Sequence, residues 1–341
     1  MDLLDPYGRT ISYLRLSVTD RCNLRCIYCR QHGDFSYIPH AEILRYEEIL
    51  LICEALSRLG VSKIRLTGGE PLVRKDLVYL AGRLASMDGI EEICITTNGL
   101  LLEGYAASLL EAGVTHVNIS LDTLRPERFA AITGRDAFAL AWRGIEKALE
   151  VGFPSIKLNA VVMRGINEDE VVDLARLSVS FPMEVRFIEF MPIGACSTWE
   201  QHRVVTCEEI KMLVEEEFGP LKPCPSSRNS GPAQISSISG APGNLGFISP
   251  LSRHFCATCN RIRITPDGRL RLCLFSDEEL DVKGVIRGME GKDPEESVLR
   301  LVAFFQDAIQ KKPAGHTVCL GEAGSLAAGG RCVRGMSRIG G

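Results

Sequence analysis

Three cysteines near the N-terminus, Cys22, Cys26 and Cys29, stand in the run Cys22-Asn23-Leu24-Arg25-Cys26-Ile27-Tyr28-Cys29. Three thiolates can hold three irons of a [4Fe–4S] cube, because each corner iron needs one outside ligand. The fourth iron is then open to a small molecule, which allows chemistry as well as electron transfer. Structural zinc is the plainer use, but zinc normally closes a tetrahedron with four protein ligands, and His32 is a poor fourth. A second group, Cys256-Ala257-Thr258-Cys259 followed after thirteen residues by Cys273, again offers three thiolates. Here zinc has a stronger case, since His254 could complete a Cys3His set. Inside this group lies Asn260-Arg261-Ile262-Arg263. On an extended segment Arg261 and Arg263 point to one side. Two guanidiniums facing one way suit an anion such as phosphate, although an exposed strand face would look the same.

These groups need elements to position them, and the chain supplies a regular set. Apolar runs with strand character cover 13–18, 63–66, 92–96, 116–121, 156–162 and 185–190. Amphipathic stretches at 47–59, 76–87, 102–112, 138–151 and 169–179 lie between them, and Gly60, Gly113 and Gly152 sit where helices should stop. Such alternation predicts an α/β fold with a parallel sheet and right-handed crossovers. In such arrays reactive groups gather at the C-terminal ends of the strands. The pattern changes after about residue 194. Residues 221–246, rich in Pro, Ser and Gly, read as loop, and 247–275 read as short strands and turns around the second cysteine group. Residues 295–311 read as a helix, and from 313 onward the chain is Gly-rich and ends in Gly340-Gly341.

Composition bounds the function. A length of 341 residues suits one large domain or one domain with an appendage, and 45% hydrophobic residues permit a sizeable core. A net charge of −4 argues against general nucleic-acid binding, so any basic site must be local. No apolar run reaches membrane-spanning length. Residues 1–10 lack the basic and apolar regions of a signal peptide, so the expected setting is cytoplasmic. There thirteen cysteines, an odd number, point to metal ligands and buried thiols, not disulfides. Cys53, Cys94, Cys196, Cys207, Cys224, Cys319 and Cys332 fall outside the two groups and read mostly as small apolar fillers or surface thiols.

After the second expected strand comes Thr67-Gly68-Gly69-Glu70-Pro71. Paired glycines let backbone approach a ligand closely, and Glu70 offers a carboxylate to an ammonium group. Alone this is also a common turn. One strand along from the first cysteines, it resembles the segment that holds the methionine amine of S-adenosylmethionine (SAM) in radical SAM enzymes, whose cysteine signature the first group also resembles. The Cys-x2-Cys-x13-Cys group with Asn-Arg-x-Arg inside it, together with a terminal Gly-Gly, narrows the likeness. The chain resembles the GTP 3′,8-cyclase family of molybdenum cofactor biosynthesis, from about residue 13 to 275 and again at its last residues.

The resemblance implies an incomplete (β/α)6 TIM-like barrel over residues 1–220 and a C-terminal cluster-binding extension over 221–341. It implies two [4Fe–4S] clusters, one on Cys22, Cys26 and Cys29 and one on Cys256, Cys259 and Cys273 that meets the guanine base. SAM would be lined by the Tyr28 backbone, Gly69, Glu70, Ser120 and Met191. GTP would be bound by Arg15, Arg65, Thr96, Lys157, Arg261, Ile262 and Arg263. Turnover would depend on Arg15, Arg261, Arg263, Gly340 and Gly341. Implied too are hydrogen removal from C3′ of GTP by a 5′-deoxyadenosyl radical, closure of C3′ onto C8, and an external electron donor. A downstream cyclic pyranopterin monophosphate synthase and a monomeric or homodimeric state complete the expectation. Converging Arg and Lys would replace a Gly-x4-Gly-Lys-Ser/Thr loop, which the chain lacks. Two departures stand out: Arg30-Gln31 where Met-Pro is usual, and the Gly- and Ala-rich run at 321–335. A radical SAM peptide maturase would instead show a peptide groove and need no nucleotide. An electron carrier would need fully ligated clusters.

Overall fold

The computed structural model describes residues 2–29, 36–193, 199–225, 231–320 and 334–340. Six parallel strands come first: β1 (Tyr13–Ser17), β2 (Lys63–Thr67), β3 (Glu92–Thr97), β4 (Val114–Ser120), β5 (Ser155–Val162) and β6 (Glu184–Glu189). Between and after them run α1 (Tyr46–Arg58), α2 (Leu77–Ala85), α3 (Leu102–Glu111), α4 (Pro126–Thr133), α5 (Phe138–Val151) and α6 (Val171–Ser180). The expected strands and helices all occur within a few residues of their expected bounds. The short α4 was not anticipated; it begins with Pro126 in its first turn, where a missing N–H costs nothing.

Side-chain period explains the layers. Along β5, Ile156, Leu158, Ala160 and Val162 are buried against the helices, whereas Ser155, Lys157, Asn159 and Val161 face the barrel interior and are half-buried. The main core lies between sheet and helices, with Leu14, Leu16, Ile64 and Leu66 packed among Ile49, Ile52, Leu80 and Leu84. Each such side chain contributes about 1.5–3 kcal/mol through burial. The barrel interior, in contrast, is polar.

The C-terminal half departs from expectation. Residues 221–246 are not simply loop. They hold β7 (Lys222–Pro223), β8 (Gln234–Ser237) and the start of β9 (Asn244–Ile248). β9 pairs in parallel with β6, and β8 runs antiparallel on its far side. Glycine concealed this strand, yet Gly246 has a packing reason: a Cβ there would lie 2.9 Å from Cγ of Arg186. Helix α7 (Cys207–Phe218) was also missed, although Thr206 and Glu209 form a capping box, the threonine hydroxyl accepting from Glu209 N at 3.2 Å and the glutamate accepting from Thr206 N at 2.8 Å. Strands β10 (Arg261–Ile264), β11 (Arg269–Arg271) and β12 (Leu280–Asp281) follow, then α8 (Val282–Arg287) and α9 (Pro294–Ile309).

The strand order is β12-β11-β10-β1-β2-β3-β4-β5-β6-β9-β8-β7. β10 is parallel to β1, so the late strands extend the six-stranded array on both flanks. The two ends of the sheet do not pair among the described residues, which leaves an incomplete barrel. No described helix is long and apolar enough to cross a membrane. Replacing Thr206 with Ala should remove one cap of α7 and lower stability by about 1 kcal/mol, read as a lower urea midpoint at unchanged m-value.

Candidate active site

The inward faces of the strands, and the loops at their C-terminal ends, enclose a cavity of about 310 Å³. Both cysteine trios line it, as do Arg15, Arg65, Gly69, Glu70, Thr96, Ser120, Lys157, Met191, Arg261 and Arg263. Of the expected site residues in the described chain, Ile262 alone turns away: its side chain is buried in the core beneath the sheet. Only its backbone can serve a ligand. Gly341 and the Arg30-Gln31 departure lie outside the described residues, as do His32, Cys196 and Cys332.

The first trio sits on the loop after β1, and neighbouring elements fix that loop through backbone bonds. Arg25 N and Ile27 N donate to the carbonyls of Thr133 and Ile132 at the end of α4, at 2.8 and 2.9 Å. Gly69 N and Glu70 N donate to Thr19 O and Arg21 O at 2.7 and 2.8 Å. Here the paired glycines have a reason beyond ligand approach. A Cβ on Gly68 would stand 2.5 Å from Thr19 O, and one on Gly69 2.3 Å from Arg21 O. The Glu70 carboxylate accepts from Leu72 N at 3.1 Å, Thr97 Oγ1 at 2.8 Å and Asn98 N at 2.7 Å, which ties the end of β2 to the end of β3. Burial lifts it to about 7 despite these donors. The Tyr28 hydroxyl donates to Asp122 Oδ2 at 2.6 Å, and burial raises Asp122 to about 6. Cys22 Sγ accepts from Leu24 N at 3.4 Å and from Asn98 Nδ2 at 3.8 Å.

The second trio rests on the turn Cys256–Thr258, on Cys259 just before β10, and on Cys273 just after β11. Burial alone would raise the Cys259 thiol, but the charges of Arg261 and Lys312 bring it down to about 6. Its sulfur accepts from Arg261 Nη2 at 3.7 Å. Two cations that the sequence did not single out brace this region. Lys312 Nζ donates to Arg261 O at 2.8 Å and Leu272 O at 2.6 Å. Arg9 Nη1 donates to Cys256 O and Ala314 O, both at 2.8 Å, and Nη2 to Pro313 O at 2.6 Å. Glu189, at the end of β6, accepts from Leu251 N at 3.0 Å, Ser252 N at 3.1 Å and Cys207 N at 3.0 Å, and so holds the loop that leads to Cys256. These side chains are found only through distant backbone partners, so spacing could not reveal them.

Among the described residues the lining carries nine Lys and Arg against two carboxylates, Glu70 and Asp122, a balance suited to an anion in an acidic protein. Lys63 and Arg186 were not foreseen, although charge at inward positions of buried strands was a readable signal. Lys63 meets Glu92 at 2.6 Å and Arg186 pairs with Glu184. Arg65 donates to the Tyr13 hydroxyl, and neighbouring guanidiniums crowd one another. Burial, with Arg65 and Arg261 nearby, takes Arg15 down to about 10, and burial with Arg15 and Arg261 depresses Arg263 strongly. Arg15 Nε and Arg263 Nη1 donate to the Gly340 carbonyl at 3.1 and 2.6 Å. Glycine is required at 340: φ is +71°, and a Cβ would lie 2.6 Å from Thr67 Oγ1. The tail enters on Ile339, fully buried beside Ile193, and on Arg334, which meets Asp267 at 2.5 Å and Glu279 at 2.6 Å.

The donor set fits an iron–sulfur cluster and a polar organic ligand. Each trio is half-buried, free of disulfides and turned to the cavity. Thr67 Oγ1, Asn118 Oδ1 and Asn159 Oδ1 are buried on the cavity wall without hydrogen-bond partners among the described residues, as a wall that bonds a ligand would be.

Comparison with known proteins agrees with this geometry. Residues 16–178 match the Radical SAM superfamily, and 183–318 match the family described as Molybdenum Cofactor Synthesis C. Streptococcus suis SuiB bound to S-adenosylmethionine shares the fold, with TM-score 0.56 and 16% identity over 86% of this chain and 69% of that one. SuiB bound to precursor peptide SuiA gives TM-score 0.59 and 14% identity over 89% and 68%. Fold and cysteine loop together define a radical SAM protein, a class that works with an iron–sulfur cluster and SAM. The chain is 47% identical to GTP 3′,8-cyclase of Pelotomaculum thermopropionicum and 45% identical to that of Moorella thermoacetica, in each case over 99% of both chains. It belongs to the GTP 3′,8-cyclase family.

Because a side chain at 69 must displace the backbone of the cysteine loop, Gly69→Ala should abolish SAM binding to anaerobically reconstituted protein while far-UV circular dichroism stays unchanged. Retained SAM affinity in equilibrium dialysis would show that the loops can part without cost.

Proposed function

We infer that this chain is a radical SAM lyase that cyclises GTP to (8S)-3′,8-cyclo-7,8-dihydro-GTP, the first step of molybdenum cofactor biosynthesis. One observation carries the reading: two thiolate trios share a single cavity whose wall between them is cationic. That charge suits a triphosphate, and likeness to SuiB at 14–16% identity concerns the fold alone.

We propose two [4Fe–4S] clusters, the first on Cys22, Cys26 and Cys29 and the second on Cys256, Cys259 and Cys273. When bound, the first cluster and SAM supply a 5′-deoxyadenosyl radical that can take hydrogen from C3′ of the ribose. The protein's part is placement. The Tyr28 and Gly69 backbone, with Glu70, Ser120 and Met191, holds SAM against the first trio. Arg15, Arg65, Thr96 and Lys157, joined by Lys63 and Arg186, hold the triphosphate and so fix the ribose. Arg261, Arg263 and the Ile262 backbone hold the guanine end beside the second trio, so that C8 faces C3′. Gly340 keeps Arg15 and Arg263 aligned, and Gly341, outside the described residues, is assigned to turnover on the family resemblance alone. The charge-assisted bonds strengthen as the site excludes water. The same proposal divides the chain near residue 220, the first part serving SAM and the second the substrate's base. It includes an external electron donor, a downstream cyclic pyranopterin monophosphate synthase, a cytoplasmic setting and a monomer or homodimer.

Reconstituted protein given SAM and a strong reductant without oxygen should release 5′-deoxyadenosine and an isomer of GTP, both only when GTP is present. SAM cleavage indifferent to GTP would send the search to another substrate.

Lys157 gives a pH test. Burial, followed by repulsion from Arg186, lowers it to about 8. It is therefore charged at pH 7 and neutral at pH 9. Loss of one charge-assisted contact costs about 1.5–3 kcal/mol, so the Kd for GTP should rise about five- to tenfold between pH 7 and 9. Lys157→Arg, charged throughout this range, should flatten the profile; an equally steep rise in that variant would assign the titration elsewhere.

A further inference from the structure

The segment after α9 has no part in the reading above, yet Arg9 and Lys312 clamp it to the second trio. Contact is closest at Gly315, where a Cβ would lie 3.0 Å from Cβ and 3.3 Å from Sγ of Cys256. The next residue, His316, is packed against Phe275 and His254, with ring centroids 4.1 and 4.3 Å away. Its Nδ1 is buried and has no hydrogen-bond partner among the described residues. A buried ring nitrogen in a native structure calls for a partner. His254 is occupied by Val318, its Nε2 lying 3.0 Å from the Val318 carbonyl oxygen. Ligating atoms of His254, Cys256 and His316 all lie within 4.8 Å of one another. One ring nitrogen of His316 thus lies within 4.8 Å of the Cys256 sulfur, a gap that a small shift of the ring closes to hydrogen-bond distance. Two other cysteines of the trios already have such donors, Cys22 in Asn98 and Cys259 in Arg261.

We propose that His316 donates an N–H···S hydrogen bond from Nδ1 to the Cys256 thiolate when the second cluster is in place, and thereby sets that cluster's reduction potential. The inference rests on the reading that this trio holds a cluster. Hydrogen bonds to cluster sulfurs are among the protein's main levers on potential. An N–H dipole aimed at sulfur favours the reduced, more negative cluster, so the bond raises the potential. His316 is in this sense a positioning and tuning residue, not a ligand.

The test uses the full chain with Cys22, Cys26 and Cys29 changed to Ser, so that every signal belongs to the second trio. Anaerobic reconstitution comes first: if this background takes up no iron, the two-cluster reading fails and the inference falls with it. With iron bound, an EPR-monitored redox titration compares His316, His316→Phe and His316→Gln. The expected result is a lower midpoint for His316→Phe and recovery in His316→Gln, whose amide can donate, with equal iron in all three. An unchanged midpoint in His316→Phe overturns the proposal. Should His316→Phe fail to load, labelling histidine with 15N in the His316 background decides. A weak nitrogen coupling with an exchangeable proton is expected, whereas a strong coupling (an iron-bound ring) or none at all overturns it.

Discussion

The parallel pairing of β10 with β1 is the constraint on which the rest of the molecule depends. It sets Arg261 opposite Tyr13 and Arg263 opposite Arg15, and leaves Ile262 and Ile264 in the core. A slip of one residue would exchange the faces, sending guanidiniums into hydrocarbon and isoleucines into the cavity. The register also fixes where the second trio stands. Cys259 lies two residues before Arg261, and Cys273 two after Arg271, which pairs with Arg263. A chain segment some 250 residues away from β1 thereby becomes the far wall of a site that begins on β1.

That site stores electrostatic tension. Lys63, Arg65, Arg186 and Arg263 are each no more than 6% exposed. Burying a charge costs several kcal/mol unless it is answered. Here the answers are local and partial: a tyrosine for Arg65, the Gly340 carbonyl for Arg263 and Arg15, and single carboxylates for Lys63 and Arg186. Barrel interiors are usually filled by branched apolar side chains. Under the proposed function an anionic substrate would supply the opposite charge, so the folded chain would give up stability where its ligand returns it.

The loops that carry the cysteines have little core of their own, and a repeated device holds them. Glu70, Glu189, Arg9 and Lys312 are ionisable side chains, largely withdrawn from solvent, whose bonds run mainly to backbone groups of other loops or strand ends. Bonds to a charged partner are shorter and about twice as strong as neutral ones, and they fix direction as well as distance. The proposed reaction, which would bring C3′ of a sugar near one cofactor and its base near another, needs that precision. An error of one ångström in either loop would be costly.

What could be read from the amino-acid order was chemistry with a short range. The Cys22, Cys26 and Cys29 spacing, the same-side placement of Arg261 and Arg263, and the βα alternation follow from local geometry, and the structure keeps all three. The strand begun in residues 221–246 was missed because Gly246 there answers to packing against Arg186 and not to strand propensity. Lys63, Arg186, Arg9, Lys312 and Glu189 were missed because their partners lie far off along the chain. The sequence by itself determined which groups could bind iron and anions, since ligand type and close spacing are covalent facts. Only the tertiary structure decided that both trios face one cavity and that the tail reaches Arg15 and Arg263, because strand pairing and buried charge, which act across space, bring those segments together.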